Sequence, residues 1–224
     1  MATTQKRYFP KTNAELKELV KDENIHLGEI DVSGVEDMSL VFSHAEISED
    51  GDVQIFGYED FERQNFEGLE TWDVSRVKNM KGMFAGVKHF NHDISSWDVS
   101  NVTDMSWMFY GCRTFNQPLD KWDVFGVTNM RGMFFSTNFN QPLENWDVSK
   151  VTNMGGMFSN CTNFNQPLDN WDVSNVVNME IMFSDCKNFN QSLDDWDVSR
   201  VTNMKKMFAK CHAYGELPKW CEKK

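Results

Sequence analysis

The chain is 224 residues long and 40% hydrophobic, enough to bury a sizeable core, and it carries 22 Lys and Arg against 34 Asp and Glu, a formal charge of −12. That balance repels phosphate backbones and anionic surfaces, so nucleic acid is not an expected partner. No apolar run approaches the roughly 20 residues needed to span a bilayer, so membrane insertion is not expected, and Met1-Ala-Thr-Thr-Gln-Lys-Arg-Tyr-Phe-Pro10 contains no apolar signal segment.

Thr12-Asn-Ala-Glu15 has the form of a capping box and predicts a helix through about Val20, with Leu16, Leu19 and Val20 available to cover the first coil. Residues 1–29 therefore read as an N-terminal helical cap. Residues 30–65 hold a degenerate first repeat, Ile30 to Phe42, and an insertion in which Asp50-Gly51 between strand-like runs predicts a hairpin over Glu46–Phe56. Glu49, Asp50 and Asp52 at its tip lack the spacing of an EF-hand loop and read as a solvated turn.

Residues 66–212 are tandem repeats. Six Trp-Asp-Val triplets start at Trp72, Trp97, Trp122, Trp146, Trp171 and Trp196, at spacings of 25, 25, 24, 25 and 25 residues. A fixed period in this range is the signature of a solenoid, in which each unit buries its apolar face against its neighbours. The shared template is Phe-Asn-Gln-Pro-Leu-Asp-x-Trp-Asp-Val-Ser-x-Val-Thr-Asn-Met-x-x-Met-Phe-x-x-Cys-x-x. Its two methionine columns, with Met1 and Met38, account for all 14 methionines. Leu119, Trp122 and Val124 have the pattern of a short strand with Asp123 on its other face. Val127, Met130, Met133 and Phe134 fall at i, i+3, i+6 and i+7, one stripe of a short α or 3₁₀ helix that Gly132 weakens. In residues 213–224, Tyr214, Leu217 and Trp220 echo the Phe, Leu and Trp columns and read as a C-terminal cap. The expected fold is one elongated domain, an α/β repeat solenoid with a strand and a helix per unit.

The segment Phe164-Asn-Gln-Pro-Leu-Asp-Asn-Trp-Asp-Val-Ser-Asn-Val-Val-Asn-Met179, followed by Met182-Phe183-x-x-Cys186, resembles the repeat of the BspA-like leucine-rich-repeat surface proteins of bacteria, a group once labelled a Mycoplasma domain of unknown function. The likeness runs from Phe66 to about Leu217. It implies a leucine-rich-repeat-like right-handed coil, a cell-surface or secreted location, and a role in adhesion or host interaction. Family proteins are usually exported, some as lipoproteins; no lipobox cysteine stands near the start of this chain. The family pattern contains no catalytic residues, and no enzyme activity is expected.

In a Leu-x-x-Leu-x-Leu strand the x positions point outward. Here they are Glu70, Asp73, Asp98, Asp120, Asp123, Glu144, Asp147, Asp169, Asp172, Asp194, Asp195 and Asp197, relieved only by Lys121 among basic residues. Such an acidic ribbon can steer a cationic protein or glycan, host-derived ones included. The Asp column within it needs an explanation. Carboxylates on coils stacked about 4.8 Å apart repel by roughly 0.8 kcal/mol even at water's dielectric. Asx-type turns to the following Ser, or shared cations, would offset that, and a structural or cation-binding stack is the alternative function. Cys112, Cys161, Cys186 and Cys211 form another column, expected to be reduced and buried, and no Cys/His spacing fits structural zinc. His89, His92 and Asp93 interrupt the template without a nucleophile beside them and read as an exposed loop. No cofactor and no metal is expected.

Overall fold

The structure, a computed structural model, describes residues 4–55 and 61–223. Phe56, the last residue of the expected hairpin, lies outside the described residues.

Regular elements cluster at the front. Helix α1, Asn13–Lys21, opens at Thr12, whose hydroxyl accepts from the Glu15 amide at 3.2 Å while the Glu15 carboxylate accepts from the Thr12 amide at 3.3 Å. It buries Leu16 and Val20. The side-chain amide of Asn13 donates to the carbonyls of Asp37 at 3.2 Å and Ser39 at 2.9 Å. Arg63, which the sequence pattern does not mark, is 2% exposed and donates to the carbonyls of Val20 at 2.7 Å, Ile25 at 3.0 Å, Asn65 at 3.2 Å and Asp22. It caps carbonyls at the end of α1 and in the adjoining turn and ties them to its own segment through Asn65.

Strands β1, Glu46–Ile47, and β2, Val53–Gln54, pair antiparallel across Gly51, whose φ of +85° suits glycine. The tip is not freely solvated. Asp52 pairs with Arg131 at 2.7 Å, and Lys81 Nζ donates to the Gly51 carbonyl. The insertion thus lies on the repeats, where Leu40, Ala45, Val53, Ala85 and Trp107 form a second, smaller core.

Within the described residues from Trp72 to Pro218 there is no helix, and the pairing is a chain of single parallel bridges: Asp37, Asn79, Asp104, Asn129, Asn153, Asn178 and Asn203, each to the next. The expected strand over Leu119–Val124 is instead a tight turn, Trp122 N–H to the Leu119 carbonyl at 3.1 Å, followed by another from Val127 N–H to the Val124 carbonyl at 2.9 Å. Turn geometry, not a pleat, puts Trp122 and Val124 inside and Asp123 outside.

The expected helix from Val127 is also absent. Gly132 (φ +61°) and Ser136 (φ +58°) are left-handed, and a right-handed helix cannot pass through them. The same two columns are left-handed along the chain: Gly82, Trp107, Gly132, Gly156, Ile181 and Lys206, then Gly86, Gly111, Ser136, Asn160, Asp185 and Lys210. Met130 to Met133 closes at 3.2 Å with its third residue left-handed, as a type II turn requires. Glycine also makes room at Gly132, where a Cβ would sit 2.2 Å from the Trp107 ring of the preceding unit.

These turns send alternate amides toward the next unit. Met130, Gly132, Phe134 and Ser136 donate to the carbonyls of Asn153, Gly155, Met157 and Ser159, each at 2.9 Å. Each unit from Met80 to Met179 makes the same four bonds. Inside, Phe84, Phe109, Phe134, Phe158, Phe183 and Phe208 stack with successive centroids 5.7–5.8 Å apart. A parallel column runs through Phe90, Phe115, Phe139, Phe164, Phe189 and Tyr214 at 5.6–6.4 Å.

Phe158 touches both columns, with Phe164 at 4.0 Å and Phe183 at 5.8 Å. Phe158→Ala is expected to destabilise the fold by about 3–5 kcal/mol in denaturant titration. Phe125→Ala, at an exposed ring beneath Lys150 Nζ, is expected to cost less than about 1 kcal/mol. Equal losses would contradict the packing described.

Candidate functional site

The Asp of each Trp-Asp-Val triplet caps its own turn. The Oδ1 atoms of Asp73, Asp98, Asp123, Asp147, Asp172 and Asp197 accept the amide two residues on at 3.1, 3.1, 3.1, 3.0, 3.0 and 2.9 Å. In three of these units the Ser hydroxyl adds a bond of 2.6 Å, from Ser75, Ser100 and Ser149. At Asp123 the usual Ser is replaced by Phe125, which offers only its amide. This is the Asx turn, and it accounts for the column by local bonding. The Asp98 and Asp147 carboxyls are held below the usual carboxylate range, first by the Ser hydroxyl and then by its amide.

Of the twelve acidic positions, Asp120 is half-buried and the other eleven are exposed. Glu70 and Asp194 have partners of another kind: Glu70 meets His92 Nε2 at 2.6 Å, and Asp194 accepts the Lys219 amide at 3.3 Å. Glu144, Asp147 and Asp172 line one surface depression together with Asn145, Ser149 and Asn170, so residues of two adjacent units contribute carboxylates to the same open hollow. His89 contacts the Arg63 carbonyl at 2.9 Å, and Asp93 accepts the Ser95 amide at 2.9 Å; with His92 held by Glu70, the His89–Asp93 segment is tied to its own backbone and to the preceding unit. Among the described residues no three His, Cys, Asp or Glu side chains converge as metal ligands.

Three further columns, which periodicity alone does not explain, bond between units. Each column Trp donates its indole N–H to the Leu-column carbonyl of the unit before, as in Trp146 to Leu119 at 2.9 Å and Trp171 to Leu143 at 3.0 Å. Trp220 makes the same bond to Leu193 at 2.8 Å. The Asn of Phe-Asn-Gln accepts the amide of its successor: Asn91 from Asn116, Asn116 from Asn140, Asn140 from Asn165 and Asn165 from Asn190, at 2.8–3.0 Å. Cys112, Cys161 and Cys186 donate to the carbonyls of Phe84, Phe134 and Phe158 at 3.0, 2.7 and 2.8 Å. Thr137 takes the cysteine place in its unit but bonds the Phe134 carbonyl of that same unit, at 2.9 Å. Burial pushes the Cys112 and Cys186 thiols well up and that of Cys161 to about 12.

Repeated bonding partners at a fixed offset define a repeat protein. Two stretches, residues 53–143 and 119–220, match the family described as Mycoplasma protein of unknown function, DUF285, and the chain belongs to that family. No curated protein and no solved structure shows a significant match to it.

Because the folded pKa of Asp147 is depressed, its contribution to stability is present above the unfolded value of about 3.9 and is lost as pH falls through the lower folded value. Ser149→Ala is expected to raise the Asp147 midpoint in an NMR pH titration; an unchanged midpoint would show that the hydroxyl does not hold it. Thiol labelling of the native protein is expected to reach half-buried Cys221 while Cys112, Cys161 and Cys186 react only after unfolding.

Proposed function

We propose that this chain is a non-enzymatic recognition module, a repeat solenoid of the BspA-like leucine-rich-repeat kind that acts at the cell surface or after secretion and presents its acidic face to a cationic protein or glycan. The observation that carries the reading is the sharing of one hollow by Glu144, Asp147 and Asp172 from consecutive units. Repetition along the stack extends the same chemistry over a long surface, which suits an extended partner better than a small substrate. The charge of −12 favours cationic ligands and disfavours nucleic acid.

A second reading, a structural stack whose Asp column serves only its own turns or holds cations, is favoured by the Asx bonds. The two separate experimentally. Glu144 and Asp169 have no hydrogen-bond or ion-pair partner among the described residues, so Glu144→Gln with Asp169→Asn changes surface charge and leaves the turns intact. Titration of a lysine-rich decapeptide is expected to show binding that weakens several-fold on this double substitution and again on raising salt. Salt-insensitive binding, or none, would sink the recognition reading, and a melting temperature raised by millimolar calcium would favour the cation-binding stack.

A further inference from the structure

At three junctions the Gln of Phe-Asn-Gln seals its unit against the Asn of the unit before. Gln117 Nε2 donates to the Asn91 carbonyl at 2.9 Å, Gln166 Nε2 to the Asn140 carbonyl at 3.1 Å, and Gln191 Nε2 to Asn165 Oδ1 at 3.0 Å. Another junction lacks the pair. Where the template would place Asn and Gln over Asn190 and Gln191, the chain has Gly215 and Glu216. Glycine has no side chain, and a carboxylate cannot donate. Among the described residues no group donates to the Asn190 carbonyl, and Asn190 Oδ1 accepts only from Gln191 of its own unit, at 3.2 Å.

The anchors on either side of this gap keep the register of the repeat. Tyr214 stacks on Phe189 with centroids 5.8 Å apart, and Trp220 donates to the Leu193 carbonyl at 2.8 Å. Between them the loop is one residue shorter than the loop from Phe189 to Trp196. With neither the Asn-Gln pair nor a full-length loop to occupy the space, a hollow of about 250 Å³ opens between residues 190–194 and 214–219. A Cβ at Gly215 would meet no atom within 4 Å.

The walls of the hollow narrow the chemistry of its occupant. Glu216 is exposed and has no partner among the described residues, while Asp194 accepts the Lys219 amide at 3.3 Å and the Ser192 hydroxyl at 3.4 Å. Two carboxylates disfavour an anion, and the ammonium of Lys219 disfavours a cation. A neutral ligand rich in hydroxyls, each of which both donates and accepts, satisfies carboxylate and ammonium together. Leu217, 55% exposed, gives the hollow an apolar side for C–H groups. Its volume lies below the roughly 300–1,000 Å³ of drug-sized sites, which limits the ligand to about one ring. The Asn190 carbonyl adds a further requirement. Its equivalents at Asn91 and Asn140 accept from a side-chain amide, and an acetamido N–H offers the same donor.

We propose that this hollow binds one N-acetylated amino-sugar unit, with its acetamido N–H on the Asn190 carbonyl in place of the missing glutamine and its hydroxyls on Glu216, Asp194 and Lys219. The site is separate from the hollow of Glu144, Asp147 and Asp172, and neither proposal rests on the other.

The test is an NMR titration of the full chain with free N-acetylglucosamine. The sugar at millimolar concentration shifts the amides of residues 190–194 and 214–219 and leaves the other units unmoved. Glucose, which has a hydroxyl in place of the acetamido group, binds about tenfold more weakly. Gly215→Asn with Glu216→Gln puts the template pair back over Asn190; it weakens sugar binding by about tenfold or more and does not lower the melting temperature. Because the sugar is neutral, its binding does not change with salt, unlike that of a lysine-rich peptide on the acidic face. No shifts at these amides would mean that the hollow holds only water. Equal binding of the two sugars would remove the acetamido contact, and undiminished binding by the double variant would place the sugar elsewhere. Each of these three results overturns the proposal.

Discussion

The structure depends on the direction of alternate amides. In the Met-x-x-Met-Phe segment the amides at every second residue face the next unit, while the intervening amides close turns or meet a side chain within their own unit. Four bonds per junction result, and they impose the fixed period, because each unit must bring the same four carbonyls into line with its predecessor's amides. The left-handed residues are the cost of this arrangement. Trp107 and Ile181 adopt a conformation that disfavours L-residues by about 1–2 kcal/mol, and it persists because the bonds to the units on either side hold it.

The polar letters of the repeat serve the same end. Buried donors and acceptors must be paired, and a stack multiplies every unpaired group by the number of units. Trp, Cys and Asn each send a bond along the stack, to the unit before or the unit after, and Asp and Ser close a turn within their own. The template is therefore mostly a list of structural obligations. The positions with no such obligation, Glu144, Asp169 and the x residues around them, are where a binding surface can vary without loosening the stack.

Much of this was legible in the chain. The period, the buried columns, the capping box at Thr12–Glu15 and the turn at Asp50-Gly51 are local or repeated signals, and they are found in the structure. The type of element was not. A stripe at i, i+3, i+6 and i+7 is met by a helix, but also by successive turns with a left-handed residue at every fourth place. The signal that distinguishes them was present as Gly82, Gly132 and Gly156 in one column and Gly86 and Gly111 in another, obscured by Trp107 and Ile181 at equivalent places. Leu-x-x-Trp-x-Val likewise resembled a strand because a tight turn also puts Trp and Val on one side. All the acidic positions but Asp120 are exposed as their spacing suggested, and the role of the Asp column emerges only from the bond to the amide two residues on. Arg63 left no pattern at all, since each of its partners is a backbone carbonyl.

The stack of amide rungs is tested most directly by NMR detection of scalar couplings across hydrogen bonds. Couplings are expected from the Met130, Gly132 and Phe134 nitrogens to the Asn153, Gly155 and Met157 carbonyl carbons of the next unit. Couplings from these nitrogens to carbonyls four residues earlier would mean that the segment is a helix, and would contradict the rungs on which the rest of the fold depends.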